Sequence, residues 1–272
     1  MFADVFSDKE LKYPPKRPWD HKIKLKPGAP ATLISKTIKL SMTEQQEFQK
    51  FINKHLEQGT IQRSKSPYAA SFFFIKKKNG KLRLVQDYQP INEWTIKNRS
   101  PLPLIPQLIN QLEDAELITT VDIRWGYNTV WIVPEDQHKV AFVTNQGLFE
   151  PMVMFFGLTN YPAMFQTMMD MIFCKQIMRG TLTVYMDDIA VHTKQKPEES
   201  EEQHLKCHRE LVRKMLTILC KHDLYLNIEK CQFEQTEVDY LGVQVGGKRI
   251  SMKEAKVKKV KDWKPPRNAT EV

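Results

Sequence analysis

Two adjacent aspartates interrupt an otherwise apolar segment in the second half of the chain. The segment runs Thr181-Leu-Thr-Val-Tyr-Met-Asp-Asp-Ile-Ala-Val-His-Thr193. Strands disfavour Asp, and neighbouring carboxylates repel each other. We therefore predict a β-hairpin that carries Asp187 and Asp188 at its tip. An ordinary solvated turn also accepts Asp, so this pair alone does not identify a functional site.

A third acid lies near the end of another predicted strand. This strand is Leu117-Ile-Thr-Thr-Val-Asp-Ile123, and it contains Asp122. If the strand and the hairpin are neighbours in one sheet, three carboxylates converge, which is costly unless cations neutralise them. Mg²⁺ prefers carboxylate oxygens, and two such ions about 3.5–4 Å apart can assist both the attacking and the leaving oxygen of a phosphoryl transfer. The pattern predicts a metal site with that chemistry.

The other periodic segments predict an α+β fold. Helices are predicted from the capping box Ser41-Met-Thr-Glu44, from Pro162 and over residues 198–222. Strands are predicted over residues 69–75 and 81–85, joined by the turn signal Asn79-Gly80, and over residues 131–133 and 139–144, joined by residues 134–136. Helices that interleave with hairpins indicate a mainly antiparallel sheet.

The charge of the chain is unevenly distributed around a net value of +9. Residues 1–100 carry 20 Lys or Arg against 9 Asp or Glu, whereas residues 101–245 carry 12 against 20. Residues 246–272 are basic again. Basic flanks suit a polyanion, so we expect a nucleic-acid partner around an acidic, metal-holding centre.

Several other classes of protein do not fit. No apolar run is long enough to span a bilayer, which predicts no membrane partner, and the N-terminus lacks a signal peptide. The four Cys contain no C-x-x-C pair, which indicates reduced thiols in an intracellular protein. A zinc site is disfavoured because its candidate ligands spread along one predicted helix, and we interpret them as helix-surface residues: His204, Cys207, His208, Cys220 and His222.

A series of motifs identifies a family. In chain order it comprises Ser66-Pro-Tyr-Ala69, Lys76-Lys-Lys-Asn-Gly-Lys-Leu-Arg-Leu-Val-Gln-Asp-Tyr88, Val121-Asp-Ile-Arg-Trp-Gly-Tyr127, Phe155-Phe-Gly-Leu-Thr-Asn160 followed by Pro162 and Phe165-Gln166, Tyr185-Met-Asp-Asp188 and Tyr240-Leu-Gly242. The chain resembles the reverse transcriptase of gypsy-type long-terminal-repeat retrotransposons, especially the fungal branch. The resemblance runs from about residue 5 to the last residue. One motif would be weak evidence, whereas the ordered series is very specific.

The resemblance implies a right-hand polymerase with an antiparallel palm sheet backed by helices and a partial thumb. It places an extended arm at residues 1–40, fingers at 41–100 and 131–157, the palm at 101–130 and 158–245, and the start of a thumb at 246–272. The implied function is Mg²⁺-dependent, RNA-directed DNA synthesis from a primer, a template of RNA or DNA, and dNTPs. Mn²⁺ is a possible substitute for the two Mg²⁺ ions.

The resemblance also assigns roles to individual residues. Asp122, Asp187 and Asp188 would be the catalytic carboxylates, and the carbonyl of Ile123 would join them at the metal. The incoming nucleotide would meet Lys77, Arg83, Tyr127 and Phe156, with Tyr127 excluding a 2′-hydroxyl. The template and primer would contact Tyr185, Met186, Leu241 and Gly242. Without the resemblance, Lys77 would be a solvated lysine, and Tyr127 and Phe156 would be ordinary core residues.

Some positions depart from the family and keep alternatives open. Tyr161, Gln89, Trp131 and Val133 replace residues that the family usually has, and a phenol at Tyr161 would crowd the nucleotide or the template. A second capping box, Ser251-Met-Lys-Glu254, opens a helix without a later partner, so we expect a truncated chain or a fragment. A natural fragment and a part of a longer polyprotein both stay open. An inactive remnant that only binds nucleic acid is one alternative, and an RNA-dependent RNA polymerase is another. The oligomeric state and the compartment, cytoplasm or nucleus, stay open.

Overall fold

A computed structural model describes residues 2–6, 17, 19–76, 80, 82–124, 126–252 and 254–263. Within that part of the chain the α-helices are α1 Met42–Glu57, α2 Gln89–Trp94, α3 Ile105–Glu113, α4 Pro134–Gln137, α5 Tyr161–Ile172, α6 Cys174–Met178, α7 Glu201–Lys221 and α8 Glu254–Lys261. None of these helices is long and apolar enough to cross a membrane. The second capping box lies partly outside the described residues.

The strands are β1 Leu33–Ile34, β2 Ile61–Arg63, β3 Tyr68–Ala69, β4 Phe72–Lys76, β5 Leu82–Gln86, β6 Leu117–Arg124, β7 Phe142–Thr144, β8 Gly147–Pro151, β9 Leu182–Tyr185, β10 Asp188–Thr193, β11 Tyr225–Leu226, β12 Gln232–Gln235, β13 Glu237–Tyr240, β14 Val243–Gly246 and β15 Arg249–Met252. All pairs between them are antiparallel except β1 with β3. The predicted α+β class with a mainly antiparallel arrangement is confirmed.

The chain forms two compact units. The first comprises Met1–Leu102, Ile123–Ile172 and Thr217–Leu226, and the second comprises Pro103–Asp122, Phe173–Leu216 and Asn227–Val272. In the first unit, α1 begins at the predicted capping box, in which the Ser41 hydroxyl accepts from Glu44 N–H and the Glu44 carboxylate accepts from Ser41 N–H. The buried face of α1 packs Phe48 against Phe72 of the β4–β5 hairpin, with ring centroids 4.5 Å apart.

The predicted strand pair over residues 131–133 and 139–144 was wrong. Trp131 and Ile132 form isolated bridges, to Val153 and to His21, instead of a strand. Helix α4 and a short 3₁₀ turn, His138–Val140, follow them. Pro134 occupies the first turn of α4, where its missing N–H costs nothing. Only β7 remains of the second predicted strand, and it pairs with β8.

The second unit is built on β6, the hairpin β9–β10 and β12. Strand β10 pairs with both β6 and β9, and β12 pairs with β6. Helix α3 and the sheet β13–β14–β15 share an apolar core with β6 and β10, formed by Leu108, Ile109, Leu112, Ala115, Ile118, Ala190, Val238, Tyr240 and Val245. This core supports the sheet from which the three predicted acids project.

Position 246, at the end of β14, requires glycine because the backbone of Thr236 approaches it closely. Its φ is +136°, and a Cβ at this position would lie 2.1 Å from the carbonyl oxygen of Thr236. Only glycine avoids both the unfavourable φ and the clash. Glycine at position 246 therefore permits the close approach of the backbones of β13 and β14.

Helix α7 contains buried histidines that we had interpreted as surface residues, so that interpretation was wrong for two of them. His204 and His208 are 5% and 0% exposed, whereas Cys207 and Cys220 are exposed. The imidazoles face threonine hydroxyls instead of water. His208 Nε2 lies 2.8 Å from Thr119 Oγ1 on β6, and His208 Nδ1 lies 2.9 Å from Thr193 Oγ1 on β10.

Candidate active site

The hairpin that carries the adjacent acids is tighter than predicted. Strand β9 ends at Tyr185, β10 begins at Asp188, and these two residues are paired. The loop therefore consists of Met186 and Asp187, with a φ of +53° at Met186. A positive φ at the first loop position is the geometry of a type II′ turn, which matches the twist of the flanking strands. Asp187 lies at the tip, and Asp188 is the first residue of the returning strand.

Two of the three predicted acids face each other across β6 and β10, and the third lies beside them at the hairpin tip. Asp122 of β6 is the direct antiparallel partner of Asp188. Directly opposed residues have Cβ atoms about 4.5–5.5 Å apart, and their side chains lie on the same face of the sheet. Asp187 precedes Asp188 in the chain, so its charge is also near. The predicted convergence of Asp122, Asp187 and Asp188 therefore has a structural basis in strand register.

Burial and like charge act together on Asp188. The pKa of its carboxyl is raised to about 6, first by burial and then by the negative charges of Asp187 and Asp122. The positive charge of Lys230 opposes this effect. A cation that approaches Asp188 would therefore stabilise the ionised form of its carboxyl group.

Lys230 is a member of the site that the sequence analysis missed. Its Nζ lies 3.0 Å from Oδ1 and 2.9 Å from Oδ2 of Asp122. The residue ends a short 3₁₀ turn, Ile228–Lys230, and Asn227 N–H donates to the carbonyl oxygen of Asp122. Asp122 and Lys230 are 108 positions apart in the sequence, so no local spacing could have predicted the pair.

The carboxylates fit divalent cations in chemical type and in position. Oxygen ligands of negative charge are those that Mg²⁺ and Mn²⁺ prefer. Within the described part of the chain, no three Asp, Glu, His or Cys side chains form a ready metal cluster, and the carboxylate of Asp122 faces Lys230. The donor set is therefore suitable for a cation, although its geometry is that of an ion pair.

The residues predicted to contact nucleic acid lie at two neighbouring turns of the second unit. Tyr185 and Leu241 are partly buried against the apolar core. Leu241 and Gly242 form the two-residue turn between β13 and β14, with φ values of +46° and +87°. Two positive φ values are typical of a type I′ turn. Lys256 Nζ donates to the Gly242 carbonyl at 2.8 Å, which ties α8 to this turn.

Tyr240 connects this turn to the hairpin of acids. Its hydroxyl accepts from Thr183 Oγ1 at 3.4 Å and donates to the carbonyl oxygen of Asp188 at 3.5 Å. The ring is 3% exposed, and burial raises the pKa of its hydroxyl. Tyr240 belongs to a motif of the predicted series, but its role in supporting Asp188 was not foreseen.

In the first unit, two residues predicted to meet the nucleotide are in contact. The guanidinium carbon of Arg83 lies 4.1 Å from the centroid of the Phe156 ring, a cation–π distance. Phe156 is 37% exposed, so the alternative interpretation of this residue as buried core does not hold. Lys77 lies outside the described residues, as does the side chain of Tyr127.

Tyr161 is accommodated inside the first unit. It is 2% exposed and stacks on Phe165, with ring centroids 5.9 Å apart. The predicted crowding of nucleotide or template by this phenol is therefore wrong, because the ring points into the core. Trp131 is also buried, at 8% exposed, which explains an apolar residue at that departure from the family.

Comparison with known proteins decides the family. Residues 75–245 match the family described as reverse transcriptase (RNA-dependent DNA polymerase). The chain belongs to the reverse transcriptase family. Members of this family generally use divalent metal ions. The match includes the three acids, Arg83 and the Tyr240–Gly242 turn.

Curated relatives of this reverse transcriptase chain include polyproteins of Schizosaccharomyces pombe (strain 972 / ATCC 24843). The Transposon Tf2-3 polyprotein is 34% identical over 221 residues, and the Transposon Tf2-7 polyprotein is 33% identical over the same length. Each alignment covers 81% of this chain and 16% of the polyprotein. The chain thus spans about a sixth of the length of these relatives.

Solved structures share the fold at low identity. A foamy viral protease–reverse transcriptase in complex with double-stranded DNA has a TM-score of 0.85 at 18% identity, covering 99% of this chain and 45% of that one. A foamy viral protease–reverse transcriptase in complex with an RNA/DNA hybrid has a TM-score of 0.81 at 19% identity, covering 99% and 35%. These matches confirm the right-hand polymerase fold.

Proposed function

We propose that this chain is the polymerase portion of a gypsy-type long-terminal-repeat retrotransposon polyprotein, of the fungal branch, and that it catalyses RNA-directed DNA synthesis. One observation carries the proposal: Asp122 and Asp188 are register partners on adjacent strands, and Asp187 stands beside them at the hairpin tip. Their arrangement concentrates negative charge where a cation-dependent phosphoryl transfer requires it.

The reaction joins the 3′-hydroxyl of a primer to the α-phosphate of a dNTP, and pyrophosphate leaves. Two Mg²⁺ ions, or Mn²⁺ in their place, would supply positive charge at the reacting phosphate when bound. In this proposal Asp122 and Asp187 would hold them, Asp188 would contribute negative charge from the strand, and the carbonyl of Ile123 would be an additional ligand. The buried Tyr240 keeps the backbone of Asp188 in place through its hydrogen bond.

The remaining roles concern substrates. Arg83 offers a planar fork of donors for the triphosphate, and Lys77 offers a mobile point charge. Phe156 lies against the guanidinium of Arg83 and limits the conformations of the arginine side chain. Tyr127 would exclude a 2′-hydroxyl. The template and primer, of RNA or DNA, would contact Tyr185, Met186, Leu241 and Gly242.

The domain assignment is part of the same proposal. Fingers would comprise residues 41–100 and 131–157, the palm residues 101–130 and 158–245, and the start of a thumb residues 246–272, after an arm at 1–40. The four cysteines are free thiols, which supports a reducing, intracellular compartment. The inactive-remnant alternative is disfavoured because all three acids are present and adjacent.

The decisive experiment is extension of a labelled DNA primer on an RNA template by one dNTP, with Mg²⁺ or with EDTA. Wild type should extend the primer only with metal, and the double variant Asp187→Asn/Asp188→Asn should not extend it. A Glu201→Gln/Glu202→Gln variant, which neutralises two adjacent exposed acids of α7, should retain full activity. Binding of primer and template without any metal-dependent extension would instead support the inactive remnant. Equal use of rNTPs and dNTPs would support an RNA polymerase.

A further inference from the structure

The ion pair between Lys230 and Asp122 involves the same oxygens that a cation would need. Lys230 Nζ donates to both carboxylate oxygens, at 3.0 and 2.9 Å. Because Nζ is nearly equidistant from the two oxygens, it lies on the side of the carboxylate from which a cation would contact both of them. A metal ion that binds both oxygens of Asp122 would therefore have to displace this ammonium group, whereas each oxygen keeps a second lone pair.

The base of the lysine is held in place by backbone hydrogen bonds. Asn227 N–H donates to the Asp122 carbonyl at 3.0 Å, and Lys230 N–H donates to the Asn227 carbonyl at 3.0 Å. The Cα of Lys230 is thus tied to the strand that carries Asp122. The pair is a feature of the fold, because its two residues are positioned by backbone as well as by charge.

The charges and exposures of the two partners indicate an exchangeable contact. The side chain of Asp122 is 18% exposed, whereas that of Lys230 is 61% exposed. An ammonium on a flexible four-carbon stem can therefore leave the carboxylate for water without unfolding its turn. One ammonium also offsets only part of the negative charge of Asp122, Asp187 and Asp188, so a divalent cation is the stronger partner.

We propose that Lys230 is the resident counter-ion of the metal-free site, and that it competes with the metal ion for Asp122. This inference rests on the proposed function, since it takes Asp122 to be a metal ligand. In the metal-free protein Lys230 relieves repulsion among the three acids. On metal binding, its ammonium group leaves the oxygens of Asp122. The lysine thereby weakens metal affinity and stabilises the empty site.

The test measures metal affinity without nucleotide or nucleic acid. Mn²⁺ is titrated into the full chain, and the free ion is followed by its electron paramagnetic resonance signal. Lys230→Met should lower the Mn²⁺ dissociation constant about two- to fivefold, the range expected for removing a half-exposed ion pair. Lys230→Arg retains the charge and should bind Mn²⁺ like wild type. Lys214→Met, which removes an exposed lysine from α7, is the matched control and should also leave the constant unchanged.

A second measurement examines the empty site. In EDTA, Lys230→Met should unfold at a lower temperature than Lys214→Met, and the difference should vanish when both are combined with Asp122→Asn. A double-mutant cycle of this kind isolates the contribution of the pair. The cycle does not depend on polymerase activity or on bound metal.

The outcomes separate this inference from the proposed function. If Mn²⁺ stabilises wild type and Asp187→Asn abolishes the effect, but Lys230→Met binds Mn²⁺ no more tightly, Lys230 does not compete and the inference is overturned alone. If wild type binds no Mn²⁺ and shows no metal-dependent primer extension, the proposed metal site fails and the inference fails with it. Tighter binding by Lys230→Met together with coupling in the cycle would support the inference.

Discussion

Asp122 and Asp188 are directly opposed on adjacent antiparallel strands, and Asp188 is partly buried in that position. Without metal, the Asp188 carboxylate is close to two like charges and has lost part of its hydration. Both effects oppose its ionised form, and they account for a pKa raised to about 6. Keeping Asp188 ionised near neutral pH therefore lowers the free energy of unfolding of the metal-free protein.

Neutralising Asp188 should consequently stabilise the metal-free protein. We expect Asp188→Asn to raise the melting temperature in EDTA at pH 7.5 by about 2–4 °C, the shift that about 1 kcal/mol causes in a chain of this size. Thermal unfolding followed by circular dichroism measures it. Glu210→Gln, which neutralises an exposed acid of α7, should change the melting temperature very little. A lower melting temperature for Asp188→Asn would contradict this account of the site.

A local pattern could predict the acids but not their neighbours. The apolar segments around Asp122 and around Asp187 and Asp188 are recognisable as strands, and the adjacent acids mark the turn between β9 and β10. The register of β6 on β10 decides that Asp188, rather than Asp187, faces Asp122, and it depends on packing across the sheet. Lys230 escaped prediction because its pairing is created only by the folded chain.

Polarity misled the sequence analysis for the histidines of α7. His208 looks like a surface residue on a charged helix, but Thr119 and Thr193 provide hydroxyls at 2.8 and 2.9 Å inside the second unit. Thr119 lies 89 positions away. Similarly, the wrong strand at Trp131 followed from an apolar run whose continuation, at Pro134, starts a helix instead. Both errors have the same kind of cause. The hydrogen-bond partners of the histidines are distant in the sequence, and the backbone conformation after Trp131 is not determined by its immediate neighbours.

Thr193 links two imidazoles, and its hydroxyl is expected to stabilise the second unit. Glu234 N–H donates to Thr119 Oγ1, which leaves the Thr119 proton for His208 Nε2. His208 Nδ1–H then donates to Thr193, and the Thr193 proton is available for His204 Nε2, 2.9 Å away. With the protons arranged in this way, the hydroxyls of Thr119 and Thr193 each donate one hydrogen bond and accept another, and neither imidazole needs a second proton.

Thr193→Val should therefore lower the free energy of unfolding by about 1–3 kcal/mol, because it leaves buried imidazole nitrogens without partners. Thr193→Ser retains the hydroxyl and should recover most of the loss. Urea unfolding at pH 7.5 measures both variants. Equal losses for valine and serine would show that the methyl group, rather than the hydrogen bonds, stabilises this position.

His192 gives the fold a dependence on pH. Burial, and then the charge of His208, lowers the pKa of His192 to about 4 from the ordinary 6.5, and its Nε2 is without a hydrogen-bond partner among the described residues. The unfolded chain therefore binds a proton at a higher pH than the folded chain. Stability is complete above about pH 6.5 and is lost as pH falls toward 4, by about 1.4 kcal/mol per pH unit for one histidine.

Replacing His192 by Leu should remove its share of this dependence. Between pH 7.5 and pH 5.0, the variant should lose about 2 kcal/mol less stability than wild type in urea unfolding. His21, His55 and His208, whose pKa values are also lowered to about 4 by burial, retain their shares, so the variant still weakens in acid. An unchanged pH dependence would mean that His192 does not take up a proton on unfolding.

Phe156 should act on nucleotide binding through Arg83. The stacked ring, 4.1 Å from the guanidinium carbon, restricts the arginine to few conformations before a triphosphate arrives. Phe156→Leu removes the cation–π contact, which is worth about 0.5–1 kcal/mol at an exposed position. We expect the KM for dNTP in primer extension to rise about two- to fivefold while kcat stays within a factor of two, since the lost interaction serves ground state and transition state alike. Phe156→Tyr retains the ring and should keep the wild-type KM. If leucine and tyrosine behave identically, or if kcat falls and KM does not change, Phe156 does not position Arg83 for the nucleotide.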